Sequence, residues 1–373
     1  MKRKGKTIRN AIIFILLIIL TFYIILKDQN IDEIFEIIGT VKLQFVLIAV
    51  ISMCIYVLCE AINIGRTLKA LNEKTSFFNN IKYALIGFFF SGITPAASGG
   101  QPMQIYYMYK DKISVANSTL ALLINLSSMQ IVTISLALIS VAVNHSILNT
   151  AMTWFFVIGI ALNASALSLL LIAILSKKLL QKLINFVVKV MKKLKIKNVE
   201  QKREKIQVEL SKYQNSSDYI KNNKLVILKT IVTTYIEFFA LYSVSYWVYR
   251  SFGLNEFNIF KIVSIQAVLY GTVSGIPSPG AVGVTEGGFI EIFKTVFPQS
   301  VISSAMILNR GINFYLLIIV SAIVTMMNAF KYQKMEEKNT GIFIWNATKI
   351  LEKSKWTVDR SRKNSYNIFV QKI

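Results

Sequence analysis

The sequence predicts an all-α polytopic membrane protein with about six full crossings and an inverted repeat that carries two re-entrant broken-helix hairpins. Three observations predict it. Of 373 residues, 54% are hydrophobic, gathered in runs longer than a soluble domain of this size usually contains. The net charge of +23 is concentrated: residues 1–10 carry five basic and no acidic groups, 176–224 fourteen against four, and 331–373 ten against four. The tripeptide Ser-Gly-Ile also runs into a proline twice, as Ser91-Gly92-Ile93-Thr94-Pro95 and as Ser274-Gly275-Ile276-Pro277, each time deep in an apolar stretch.

Basic charge collected between apolar spans is the positive-inside pattern and not a nucleic-acid footprint. It places both termini and residues 176–224 in the cytoplasm. Cys54 and Cys59 match no zinc or redox spacing, and a lone His145 cannot build a metal cluster, so neither a metal nor another cofactor is expected.

Residues 11–26 follow five basic groups and lack a small-residue cleavage site, which reads as an uncleaved first span. The acidic stretch with Asp28, Asp32, Glu33 and Glu36 suits the outside. Residues 43–64 return to the cytoplasm, and 114–143 and 151–175 go out and back. Leu180, Leu183, Ile184, Val187, Met191 and Leu194 then recur at helical spacing opposite Lys178, Lys182, Lys189, Lys192 and Lys193. That makes residues 177–205 either a cationic amphipathic segment for an anionic lipid surface or a solvated connector. Residues 225–250 and 300–330 complete the crossings.

The breaks are fitted in by length. Between Pro102 and the Lys110-Asp111-Lys112 cluster the chain climbs roughly 12 Å as helix, against a hydrocarbon core of about 30 Å. It therefore turns near mid-membrane and returns to its face of entry. Each half is a crossing, a hairpin and a crossing: half one is 43–143, half two 225–330, joined by crossing 151–175 and segment 176–224. Residues 1–330 form the membrane domain and 331–373 a basic cytoplasmic tail. The alternative is eight full spans with kinked helices.

Paired broken segments at matching places in two halves point to a transport site near the bilayer midplane. The first break offers Thr94, Ser98, Gly99, Gly100, Gln101 and Gln104, small residues and neutral donors at a helix start, suited to a phosphodiester. The second offers Ser278, Gly280, Gly283, Thr285 and the carboxylate of Glu286. A carboxylate in hydrocarbon needs a partner, and Arg310 is the one basic residue between Lys294 and Lys331. Their pairing serves either the fold or a head group. Glu60 and Glu237, one in each half's opening crossing, are candidates for a cationic head group or a coupling ion, or for pairing with a lysine near the surface.

The strings Thr-Pro-Ala-Ala-Ser-Gly-Gly-Gln-Pro (94–102) and Pro-Ser-Pro-Gly-Ala-Val-Gly-Val-Thr-Glu-Gly-Gly (277–288) resemble the signature regions of the lysylphosphatidylglycerol synthase/flippase membrane-domain family, related to the N-terminal part of the multiple peptide resistance factor. The likeness covers most of residues 8–330. It implies a flippase-like carrier of a phospholipid or an aminoacylated phospholipid such as lysylphosphatidylglycerol, linked to resistance to cationic antimicrobial peptides. It also implies that Thr94–Gln104 and Pro277–Gly288 form the broken-helix region, with Glu286 as the family's acid and Arg310 as its arginine. Residues 331–373 are too few for an acyltransferase domain, so the transporter reading leads. The alternatives are a phosphatidylglycerol lysyltransferase by family name, with lysyl-tRNA as its one nucleic-acid partner, or a membrane partner of a separate lipid synthase.

Overall fold

A computed structural model of the chain describes residues 36–144, 150–176, 199–276 and 278–332, with Gln181, Lys182, Asn185 and Lys189 between them. The expected first span at 11–26, His145, most of the cationic segment, Pro277 and the tail beyond Tyr332 lie outside the described residues. Met1–Val324 and Thr325–Ile373 separate as two units, and the site belongs wholly to the first.

The described chain is helical, in agreement with an all-α membrane protein. In order run α1 (Leu43–Ala70), α2 (Phe77–Gly92), α3 (Gly100–Lys110), α4 (Val115–Val143), α5 (Thr150–Leu175), α6 (Val199–Asn222), α7 (Lys224–Ser251), α8 (Ile259–Val273), α9 (Val284–Phe293) and α10 (Ile302–Arg310). A widened π turn at Gly311–Leu316 follows α10 directly. Among the described residues five helices are long and apolar enough to cross a membrane: α1, α4, Met152–Leu175, α7 and Ile302–Tyr332. They coincide with five of the six expected crossings.

The surface of the spans is inverted relative to a soluble bundle. On α1, Leu43, Leu47, Ile51, Ile55, Leu58 and Ile62 repeat every three or four residues and are all exposed, while Ser52, Asn63 and Thr67 on the opposite face are buried. In water an apolar stripe of this length would drive association. Against lipid it needs no cover, and packing falls to small and polar side chains. α5 shows the extreme case. A Cβ on Gly159 would lie 2.4 Å from Thr272 O and 2.8 Å from Gly271 O, so α5 sits on the bare backbone of α8. Asn163, one turn on, donates through Nδ2 to Gly271 O at 3.1 Å.

α1 and α7 pack along much of their length and run antiparallel, as the pairs Ser52 with Ser243, Asn63 with Thr234 and Arg66 with Lys229 show. Their residue numbers rise on one helix as they fall on the other. These are the helices expected to open the two halves.

α6 is not a free connector. Ser217 Oγ donates to Ile174 O at 2.6 Å, and Tyr213 OH donates to Ala173 O at 3.0 Å, so α6 satisfies carbonyls left over at the C-terminus of α5. Burial pushes the Tyr213 phenol up to about 12. At the N-terminus of α4, Glu209 of α6 accepts from Ala116 N and Glu73 accepts from Ser114 N, where negative charge is favoured by the helix dipole.

Candidate functional site

Each break is a short 3-10 turn between two helices, Pro95–Ala97 between α2 and α3 and Pro279–Ala281 between α8 and α9. The likeness extends to single dihedrals. Thr94 and Ser278, just before the prolines, are extended, and Ala97 and Ala281 both hold left-handed conformations, at φ 53° and 52°. Both first arms are capped by a side chain, Ser76 Oγ accepting from Asn79 N and Asn258 Oδ1 from Lys261 N.

The first break is a hairpin and not a kink. Lys82 and Tyr83, in the second turn of α2, both donate to Asp111 just past the end of α3, so the chain returns to within about two turns of its level of entry. Gln104 ties the arms midway through Nε2 to Tyr83 O at 3.1 Å. With 11 residues, α3 rises about 16 Å, roughly half the hydrocarbon thickness. In the second hairpin α9 packs on α8, and Phe289, Phe293 and Phe297 stack beneath it into the main core.

The two breaks touch. A Cβ on Gly280 would lie 3.2 Å from Gly92 O and 2.3 Å from the Phe314 ring. Glu286 and Arg310 meet beside this contact: Arg310 Nε donates to Glu286 Oε1 at 2.8 Å, and its Nη2 to Gly280 O at 3.1 Å. Glu286 also accepts from Gly283 N through Oε2 at 2.7 Å and from Tyr315 OH through Oε1 at 3.3 Å. Both carboxylate oxygens are thus engaged and the residue is fully buried. The π turn explains the crowding. With ordinary α spacing Phe314 shares Arg310's face and Tyr315 does not, whereas the wider turn brings both rings to the guanidinium, at 4.3 and 5.8 Å.

Two adjoining cavities, of about 280 Å³ and 440 Å³, lie against the breaks. Ser91, Ala97, Gln130, Asn163, Tyr270 and Ser274 are among the residues that line both. Of the residues singled out from sequence, Gln101, Gln104 and Glu60 line the smaller cavity, and Ser278, Gly280, Thr285 and Arg310 the larger. Thr94, Ser98, Gly99, Gly100, Gly283, Glu286 and Glu237 line neither. Thr94 is spent on the turn, its Oγ1 donating to Phe90 O and accepting from Gly99 N. Gly100 is buried against Ser91, whose Oγ an added Cβ would meet at 2.1 Å.

The cavities are rich in unsatisfied polarity. Glu60 Oε2, both polar atoms of the Asn125 amide, Gln130 Oε1, Ser278 Oγ and Asn313 Oδ1 are buried and have no hydrogen-bond partner. Among the described residues no further acceptor takes the remaining N–H groups of Arg310. Buried polar atoms are rarely left unpaired in an empty interior, so this space is built for water or a polar ligand. Asn125, Gln130, Asn163 and Asn313 were not singled out from sequence. Their signal was there, as amides inside otherwise apolar crossings. Among the described residues no cluster of His, Cys, Asp and Glu is placed to hold a metal.

Comparison with known proteins agrees with a membrane protein. The family described as the lysylphosphatidylglycerol synthase TM region matches residues 10–321. A UPF0104 membrane protein of Pyrococcus horikoshii is 22% identical over 314 residues, covering 82% of this chain and 93% of the relative. With two matched breaks packed at the centre of a helical bundle and a family match over most of its length, the chain belongs to the lysylphosphatidylglycerol synthase TM region family.

Proposed function

We propose that the protein is a flippase-like transporter that carries the head group of a phospholipid, or of an aminoacylated phospholipid such as lysylphosphatidylglycerol, through the paired cavities. The observation that carries this reading is the guanidinium of Arg310, with unspent donors, on the wall of a cavity that both breaks line. A phosphate offers acceptors for such a group, and the neutral amides opposite suit glycerol or ester oxygens. The two halves are read as an inverted repeat, supported by the antiparallel α1 and α7 and by the matching left-handed conformations of Ala97 and Ala281 in the two breaks. Alternating access of such a repeat exposes the cavity to each leaflet in turn. Glu286 then acts as a positioning residue that holds Arg310 and the second break together.

The test replaces unsatisfied amides by apolar groups. Asn125→Leu combined with Gln130→Leu removes buried polar atoms that no protein group satisfies, so the variant is expected to melt at or above wild type. Its movement of fluorescent phosphatidylglycerol between leaflets of proteoliposomes should fall about tenfold or more, the loss of roughly one charge-assisted or two neutral hydrogen bonds. Wild-type rates in that variant would remove the cavity from the path.

The plasma membrane and the orientation belong to the same reading, with both termini and α6 on the cytoplasmic side. In a chain whose Cys54 and Cys59 have been replaced, a cysteine at the exposed Lys212 should resist an impermeant thiol reagent in whole cells and react in inverted vesicles. Labelling in whole cells would reverse the topology.

A further inference from the structure

The acids of the two opening helices meet each other. Glu60 of α1 and Glu237 of α7 face each other where the two helices pack: Asn63, one turn beyond Glu60 on α1, donates to Glu237, and the two carboxyl groups interact directly. Glu237 is fully buried, and its Oε2 accepts from Asn63 Nδ2 at 3.4 Å. Glu60 Oε2 and Glu237 Oε1 receive no donor from the protein. Among the described residues no cation pairs with either acid.

The surroundings leave them to each other. The titratable side chains that face the pair are Tyr56 and Cys59 from α1 and Tyr270 from α8, with Tyr242 of α7 behind them against Tyr56 and Tyr270. From α4 come the neutral Asn125, Gln130 and Thr133. Arg66, further along α1, is turned to Asn63 Oδ1 and Lys229 O, at 2.9 and 2.7 Å. Arg310, beyond α7, is held by Glu286. Two carboxylates offer each other only acceptors, so a hydrogen bond between them requires one proton.

A second observation stands apart from the acids. Asn125 is 3% exposed, neither its amide nitrogen nor its oxygen has a partner, and it lines the same cavity as Glu60. Such an amide is satisfied by water, and water beside Glu60 is a route for protons.

We propose that the Glu60–Glu237 pair is a proton-binding site that couples lipid movement to proton flow. A proton arrives on Glu60 from water in the smaller cavity and is shared with Glu237. When it leaves by the cavity, two like charges remain in contact between α1 and α7. Repulsion at that contact moves the opening helices of the two halves apart, and the returning proton draws them together. The coupling to lipid rests on the transport reading above, whereas the proton site does not.

The full chain in proteoliposomes tests both. Infrared difference spectra between about pH 6 and about pH 9, where ordinary carboxyl groups are ionised throughout, should show a protonated-carboxyl C=O band that disappears in alkali. The band should shift in Glu60→Gln and in Glu237→Gln and vanish in the double variant. Its absence from wild type, or its persistence in the double variant, overturns the proton site. A one-unit pH gradient should then hold fluorescent phosphatidylglycerol in a leaflet ratio of up to about tenfold for one proton per lipid, and the double variant should show the ratio found without a gradient. Lipid movement indifferent to the gradient in wild type overturns the coupling and leaves transport standing. No lipid movement in wild type under any condition overturns the transport reading and the coupling with it, while the infrared band still decides the proton site.

Discussion

Glu286→Gln alone is expected to destabilise the protein by about 3–5 kcal/mol, because removing one member of a buried pair leaves the other charge uncompensated. The stranded guanidinium keeps only Gly280 O as an acceptor. Gly283 N is also left facing a weaker acceptor at the first turn of α9, where a negative charge is favoured. Arg310→Gln should cost a similar amount by stranding the carboxylate. The double variant should recover much of the loss, since the penalty leaves together with the attraction. Thermal melting in detergent measures all four proteins. If wild type, singles and double melt together, the 2.8 Å pair contributes nothing to the fold. Lipid movement separates the two roles: a double variant that folds and stays inactive marks Arg310 as the head-group anchor, and an active one marks the pair as scaffold.

Gly280→Val carries the second large effect. The residue sits at φ 60°, and an added Cβ would strike the Phe314 ring at 2.3 Å. The left-handed backbone costs a β-branched residue about 1–2 kcal/mol, and overpacking adds about 1–3 kcal/mol. A loss of roughly 2–5 kcal/mol is expected, together with separation of the two breaks and loss of lipid movement. Gly287→Ala is the control. A Cβ there meets nothing within 4 Å, and relief of a glycine inside α9 should leave the melting temperature unchanged or raise it slightly. A Gly280→Val protein that melts and transports like wild type would mean that the contact between the breaks is dispensable.

The parts of this architecture that sequence displayed are those written in charge and in glycine or proline. Apolar length located five crossings. The distance from Pro102 to Lys110 implied a hairpin, and the isolation of Arg310 among apolar residues pointed to Glu286. What stayed hidden depends on which faces of distant helices turn toward each other. Glu60 and Glu237 were visible as lone acids, but their contact is set by the azimuth of α1 against α7, and no local pattern records it. Thr94 and Ser278 occupy matching positions and look interchangeable, yet one is consumed by its turn and the other opens into the cavity. α6 read as part of the basic segment 176–224 joining the halves, and Tyr213 and Ser217 are unremarkable in it; their partners are the unpaired carbonyls at the end of another helix, which sequence does not show.

The widened turn at Gly311–Leu316 gives the last crossing one residue more than its α-helical register holds. Such a surplus can travel along a helix, because each step exchanges one set of backbone hydrogen bonds for a neighbouring one. Moving it past a given residue turns that residue by about 100° about the helix axis while the axis itself stays in place. Arg310 stands immediately before the surplus. In the structure Arg310 is held at that point by Glu286 Oε1 and Gly280 O, so the surplus residue and these two bonds together set the azimuth of the cation on the cavity wall.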